Sequence, residues 1–224
     1  MSTPDHENLP REVFMIDVVN QHNRRQYSEL LDRQFRLRHE IFVKERGWAE
    51  FETDGIYEKD AYDNHSAIYL IAADELGNVA GGFRLYPTTL PHMLSEQFPN
   101  LTDGAVPRRA DLFELTRFAM RKTERRSERY RELLVAIQEY GLKEGLAGYT
   151  SVIHTSRIPI LQGFGFDIEP LGVPQKHESE TIIAVLFHVS DQCLSRVRDK
   201  VNIHRSVFGS PANERHRGDR TIHA

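Results

Sequence analysis

The chain has 224 residues with 29 Lys and Arg against 33 Asp and Glu, a formal net charge of −4, and the mildly acidic balance argues against nonspecific nucleic-acid binding. Apolar content of 39% and charged content of 28% exclude a disordered or fibrous chain, and the longest apolar run, Ala67–Ala73, is far short of the ~20 residues a membrane helix needs. The polar opening MSTPDHENLP is no signal peptide, and the lone Cys193 excludes an intrachain disulfide, so a cytoplasmic protein is expected.

Glu12–Val19 reads as a first strand. Arg25–Glu45 carries Tyr27, Leu31, Phe35, Ile41 and Phe42 at helical spacing, and Arg46-Gly47 ends it. Trp48–Ser66 has no periodicity and many acids, and reads as a long functional loop. Ala67–Ala73 and Val79–Tyr86 form a hairpin around Gly77. Pro87–Pro107 is irregular. Leu112–Met120 is a strand, and Ser127 caps a helix running to about Glu144. Tyr149–His154 is a strand, Arg157–Gln162 a short helix, Thr181–Val189 a last strand and Ser190–Val201 a last helix. Residues 1–10 are expected to be flexible, 11–203 to form the single domain and 204–224, rich in Arg, His and Gly, to be a disordered tail. The pattern implies one mixed sheet with helices on both faces.

Charge sits oddly in four places. Arg38 falls on the apolar stripe of its helix, so its guanidinium points inward; a snorkelling side chain is the bland alternative. Glu58, Asp60 and Asp63 crowd six residues beside Tyr57 and Tyr62, either a solvated loop or a cation site. Arg84 shares a strand face with Gly82, where a ligand could approach closely. Glu114 and Arg117 sit within an apolar strand, where two charges are costly without partners. Residues three apart on a regular strand face opposite sides, so a shared site needs a bulge near Leu115 or Thr116.

These residues compose a pattern. Arg38-x-x-x-Phe42-x-x-x-x-x-Trp48, Glu58-x-Asp60-x-Tyr62-Asp63, Phe83-Arg84-Leu85, Pro91-His92-Met93-Leu94 and Phe113-Glu114-Leu115-Thr116-Arg117-Phe118 follow in order. They resemble the acyl-homoserine lactone synthases, the autoinducer synthases of bacterial quorum sensing, over roughly residues 11–190. Phe113 stands where the family often has Trp, and the stretch after about residue 203 has no counterpart. The resemblance implies an α/β fold of the N-acyltransferase type, related to the acetyl-CoA-dependent acetyltransferases: a twisted mixed sheet sandwiched between helices. It implies acyl transfer from a thioester, on acyl carrier protein or acyl-CoA, to S-adenosylmethionine, lactone closure and release of methylthioadenosine. S-adenosylmethionine is then a substrate and no cofactor is expected.

That substrate presents a carboxylate, an amine, a sulfonium and an adenine. Arg38, Arg84 and Arg117 suit the carboxylate, and Asp60 and Asp63 suit the ammonium and sulfonium. Phe42, Trp48 and Phe118 offer aromatic faces. The attacking amine must lose a proton, which makes Glu114 the first candidate base and Glu58 the second. Phe98, Leu101, Met120, Leu133, Ile137 and Val152 are candidate acyl-chain walls that core packing explains equally well. The candidates for reading the acyl 3-position are His154, Thr155 and Ser156. The basic run Arg121, Lys122, Arg125 and Arg126 is the expected docking site for an acidic carrier protein.

Two rivals use the same residues: a CoA-dependent N-acetyltransferase, disfavoured because Arg121–Arg126 lacks the glycines of a pyrophosphate turn, and a non-catalytic S-adenosylmethionine- or lactone-binding relative. A nucleic-acid module lacks a recognition motif, and the eleven histidines include no H-x-x-x-H pair, so no metal is expected.

Overall fold

The computed structural model describes residues 16–74 and 76–209. Strand β1 (Ile16–Val19) leads through a turn to helix α1 (Ser28–Arg38), which buries Leu31, Phe35 and Leu37. The helix does not stop at Arg38. It widens into a π-helix over His39–Glu45, an uncommon winding often found at functional sites, and ends where Gly47 takes φ +79° and Trp48 N–H donates to the Phe42 carbonyl. The expected strand from Glu12 starts at Ile16 among the described residues; residues 12–15 and the 1–10 segment lie outside them.

The expected long loop contains a small hairpin, β2 (Glu52–Thr53) and β3 (Tyr57–Glu58). Strands β4 (Ile68–Ala73) and β5 (Val79–Pro87) form the expected hairpin, whose turn is held by Asp74 accepting from the Leu76 and Asn78 amides. A short helix α2 (Met93–Gln97) interrupts the stretch read as irregular. Strand β6 (Leu112–Met120), helix α3 (Glu128–Lys143) capped by Ser127, strand β7 (Gly148–His154) and helix α4 (Ile158–Gly163) follow. Two short strands not expected from the sequence, β8 (Ile168–Pro170) and β9 (Gln175–His177), precede β10 (Glu180–His188) and helix α5 (Asp191–Val201).

One sheet runs in the order β1-β4-β5-β6-β7-β10-β8, with β9 also on β10. Its neighbours pair antiparallel except β6 and β7, which run parallel for only three rungs, Leu112–Gly148 to Glu114–Thr150. Beyond the third rung the two strands part, leaving a gap in the middle of the sheet. Helix α1 covers one face through Tyr69, Ile71, Tyr86 and Ala119, and α3 and α5 cover the other through Leu70, Phe83, Leu85 and Leu115.

Ordered structure extends past the expected boundary at residue 203. Val207 is fully buried, its carbonyl accepts from Ile16 N–H at 2.9 Å, and its amide donates to Glu139 at 3.1 Å. Arg205 pairs with Glu128 and with the buried Glu132. An acidic row on α3 thus ties residues 204–209 down, which composition alone does not reveal; residues 210–224 lie outside the described residues.

Candidate active site

The charged site is built on the α1 face of β5 and β6. Arg84 lies opposite Tyr69 on β4 and Thr116 on β6, and Tyr86 lies opposite Glu114. The register between β5 and β6 shifts between Gly82 and Arg84, so two residues of β6, Arg117 and Phe118, face Phe83 alone. Arg117 has φ +55°, a left-handed conformation that costs a non-glycine residue ~1–3 kcal/mol. The bulge lies one or two residues beyond the expected position. Its effect is that Thr116 and Arg117, though adjacent, both reach the α1 face. Glu114, Thr116 and Arg117 therefore share one side of a strand that would otherwise separate them.

Three arginines and three carboxylates interlock there. Arg38 donates through Nε to Glu58 at 2.5 Å and through both Nη atoms to Asp63 at 2.7 and 2.8 Å. Arg84 forks onto Asp60 at 2.5 and 3.0 Å, touches Asp63 at 2.9 Å and donates through Nε to Thr116 at 3.1 Å. Arg117 donates to the second oxygen of Glu58 at 2.8 Å and sits 2.9 Å from Asp60. Tyr69, which the sequence reading passed over, donates to Asp63 at 2.9 Å. Formal charges cancel, three against three, as burial requires. Burial works to raise the Asp63 pKa, but Arg38 and Arg84 win and hold it far below the usual carboxylate range.

These partners change the expected arrangement of the arginines. Arg38 and Arg84 are 0% exposed and saturated by protein carboxylates, so neither presents a free fork to a substrate. Arg117 differs. It is 8% exposed, and its Nη1 meets Met93 Sδ at 3.6 Å. Its guanidinium also lies over the rings of Phe51, Trp48 and Phe42, at 4.8, 5.5 and 5.8 Å. Phe42 and Trp48 stack on each other at 5.0 Å. Phe51 and Met93 complete this wall; Phe51 was hidden in an aperiodic segment.

Glu114 is 1% exposed and stands apart from the arginine network. Its carboxylate accepts from the Leu94 amide at 2.6 Å and the Met93 amide at 3.1 Å, at the start of α2. Burial raises its pKa, and these amides oppose the shift only in part. Beside it at the last β6–β7 rung, Thr150 Oγ1 is buried and makes no hydrogen bond among the described residues.

Phe118 does not join the cluster. The bulge turns it to the opposite face, where it stacks on Phe83 at 5.8 Å and meets Tyr130 edge-on at 6.1 Å; Tyr130 in turn meets Phe164 at 6.0 Å. This row of rings runs from β5 and β6 through α3 to Phe164, just past the end of α4. The candidate acyl walls split likewise: Met120, Leu133 and Ile137 belong to the core under α3, whereas Phe98, Leu101 and Val152 gather with Leu94 and Ala184 on the other side. Arg121, Lys122, Arg125 and Arg126 are exposed after β6. Glu40 neutralises Arg121 at 3.3 Å, and Glu45 meets Lys122 at 3.3 Å and Arg125 at 3.9 Å. Among the described residues no group of three or more His, Cys, Asp or Glu could hold a metal, and no helix is long and apolar enough to cross a membrane.

Residues 21–197 match the family model described as autoinducer synthase. The chain belongs to the autoinducer synthase family. Autoinducer synthases similar to it include the isovaleryl-homoserine lactone synthase of Bradyrhizobium diazoefficiens, 34% identical over 84% of this chain and 86% of that one. The acyl-homoserine-lactone synthase of Pseudomonas chlororaphis is 30% identical over 75% of this chain and 85% of its own length. Among solved structures, the CoA-dependent acyl-homoserine lactone synthase BjaI with S-adenosylmethionine and isopentyl-CoA superposes with a TM-score of 0.82 at 33% identity, covering 86% and 92% of the two chains. An N-acetyltransferase from Lactobacillus plantarum, 16% identical at a TM-score of 0.52, covers 79% of this chain and 99% of its own and shares the fold alone. This autoinducer synthase is an acyltransferase on the N-acyltransferase fold.

Proposed function

We propose that this synthase makes an N-acyl-L-homoserine lactone from S-adenosylmethionine and an acyl thioester carried on CoA or on acyl carrier protein. The observation that carries the reading is the bulge at Arg117, a strained residue that puts Glu114, Thr116 and Arg117 on one face where β6 and β7 part. Family membership supplies the reaction class.

The amine nitrogen of S-adenosylmethionine attacks the thioester carbonyl and loses one proton; the C–S bond breaks and the thiol leaves. The substrate carboxylate oxygen then attacks its own γ-carbon, closing the lactone, and the sulfonium leaves as neutral methylthioadenosine. Glu114 takes the amine proton, its raised pKa suiting a base at neutral pH. Arg117 is the guanidinium that meets the substrate carboxylate. Arg38 and Arg84 hold Glu58, Asp60 and Asp63 in place, and those carboxylates balance the ammonium and sulfonium. Phe42 and Trp48 take the adenosyl side.

Phe118, on the opposite face from Phe42 and Trp48, belongs to the donor side, where the row Phe83, Phe118, Tyr130 and Phe164 fits the acyl arm. The basic run from Arg121 to Arg126 faces the donor. Cytoplasmic placement fits the free Cys193. The test is methylthioadenosine release by purified protein given S-adenosylmethionine and a panel of acyl-CoAs and acyl carrier proteins. Release that depends on the donor supports the reading; binding of S-adenosylmethionine without release supports the non-catalytic alternative.

A further inference from the structure

Behind the network of arginines and carboxylates, the main chain that carries Asp60 and Asp63 is held from outside. This turn winds on itself: the Asp60 amide donates to the Asp63 carboxylate at 2.9 Å, the Tyr62 amide to the Asp60 carboxylate at 2.9 Å and the Asp63 amide to the Asp60 carbonyl at 3.1 Å. It is exposed at Ala61 and again at His65. Arg24, in the turn between β1 and α1, reaches across to it. One Nη donates to the Asn64 carbonyl at 2.5 Å and the other to the Asp63 carbonyl at 3.0 Å, and the guanidinium lies over the Tyr69 ring at 5.5 Å. Tyr69 is the same residue whose hydroxyl donates to Asp63. The Asn64 side chain closes the turn from its other end. Its Nδ2 donates to the Ala61 carbonyl and to the Tyr86 hydroxyl, both at 2.9 Å, and its Oδ1 accepts from the Ser66 amide at 2.9 Å. The chain beside Arg24 is itself fixed, because the Asn23 side chain joins the Val18 carbonyl and the Asn20 amide, each at 2.8 Å.

We propose that Arg24 and Asn64 are positioning residues for the cationic end of S-adenosylmethionine, holding the 60–64 turn so that Asp60 and Asp63 stay where the ammonium and sulfonium arrive. The proposal rests on the reading of Asp60 and Asp63 given above and adds what fixes them. Arg38, Arg84 and Arg117 grip the two carboxylates from within the site, but the turn between them has an exposed tip, and exposed main chain is the first part of a fold to open. A binding group displaced by ~1 Å is enough to spoil a site, so the turn needs support of its own. Two adjacent carbonyls call for two donors in a fixed fork, which one planar guanidinium supplies. Through Asn64 and Tyr86 the same clamp reaches the rung of β5 and β6 that carries Glu114. The carboxylates that meet the substrate's positive charge and the base that takes its proton are therefore tied to one support.

The experiment measures, by titration calorimetry, the affinity of purified wild type, Arg24→Gln, Asn64→Ala and Asp60→Asn for S-adenosylmethionine and for methylthioadenosine, with initial rates on one acyl donor of the panel above. Methylthioadenosine keeps the adenosyl group but carries neither the ammonium nor the sulfonium charge. The expected result is that Arg24→Gln and Asn64→Ala each weaken S-adenosylmethionine by ~10-fold or more while methylthioadenosine stays within about twofold. In the same variants KM for S-adenosylmethionine rises, and kcat and KM for the acyl donor hold. Melting temperatures establish that each variant is folded, and Asn64→Ala decides the matter where Arg24→Gln is not. Equal weakening of both ligands, or a lowered melting temperature with S-adenosylmethionine affinity kept, marks a merely structural role and overturns the proposal. Asp60→Asn separates the two levels. If it leaves S-adenosylmethionine affinity unchanged, the reading of Asp60 falls and the proposal with it. Weakening in Asp60→Asn but in neither Arg24→Gln nor Asn64→Ala removes the proposal alone.

Discussion

Asp63 is the most consequential side chain for stability in the charged cluster, because it faces two fully buried guanidiniums and a tyrosine. Asp63→Asn leaves Arg38 and Arg84 short of a countercharge, and it should cost ~3–5 kcal/mol, read from denaturant midpoints. Its pKa is lowered on folding, so its contribution is complete above the ordinary aspartate value of 3.8 and is lost as pH falls below that value. The midpoint of the wild-type protein should therefore drop on acidification below about 4, and the dependence should be weaker in Asp63→Asn. Glu114 has the opposite sign. Its pKa is raised by burial, so protonation as pH falls favours the folded state while removing the base. Turnover should fail on the acid side above the ordinary glutamate range while the melting temperature holds; loss of both together would assign the limb to unfolding. Glu114→Gln should cut turnover ~10²–10⁴-fold with S-adenosylmethionine still bound, measured by calorimetry and methylthioadenosine release. Near-normal turnover would remove Glu114 as the base.

Strand β6 shows why the spacing of charges is no guide to their meeting. Alternation sends Glu114 and Arg117 to opposite faces, and only the left-handed turn at Arg117 reunites them. The requirement for a bulge was legible in the sequence; the residue that leaves the ladder was not, since φ at one position depends on β5 opposite. There Gly82 admits the buried Gln34 side chain: a Cβ would lie 2.7 Å from the Leu70 carbonyl and 3.0 Å from the Gln34 amide. Gly82→Ala should therefore destabilise the fold by ~1–3 kcal/mol, visible as a lowered melting temperature. Arg117→Lys should not restore the activity that Arg117→Ala loses, because a point-charge ammonium cannot donate to Glu58, stay beside Asp60 and still place a planar group over the Phe51 ring. Recovery of turnover in Arg117→Lys would reduce the role of Arg117 to net charge.

Beyond single elements, the chain closes on itself through its far end. Residues 203–209 lie against α3 and β1, with Val207 buried and Arg205 neutralising Glu132. Truncation after Asn202 leaves Glu132 buried without its partner. A loss of about 2 kcal/mol in unfolding free energy is expected, below that of a fully buried pair because the Arg205 side chain is 37% exposed. An unchanged midpoint would make this strap dispensable.

Composition and periodicity were enough to determine a mixed α/β chain and its main strands and helices, because those follow from local pattern, and the ordered motifs carried the resemblance that implied the acyltransferase fold. The inward direction of Arg38 followed from helical spacing in the same way. Only the tertiary structure decided which arginines are saturated, which face Phe118 takes and where β6 parts from β7. It also decided that Tyr69 and Phe51 stand beside residues far from them in sequence. Each of these depends on cross-strand register and on burial against partners that no local pattern specifies.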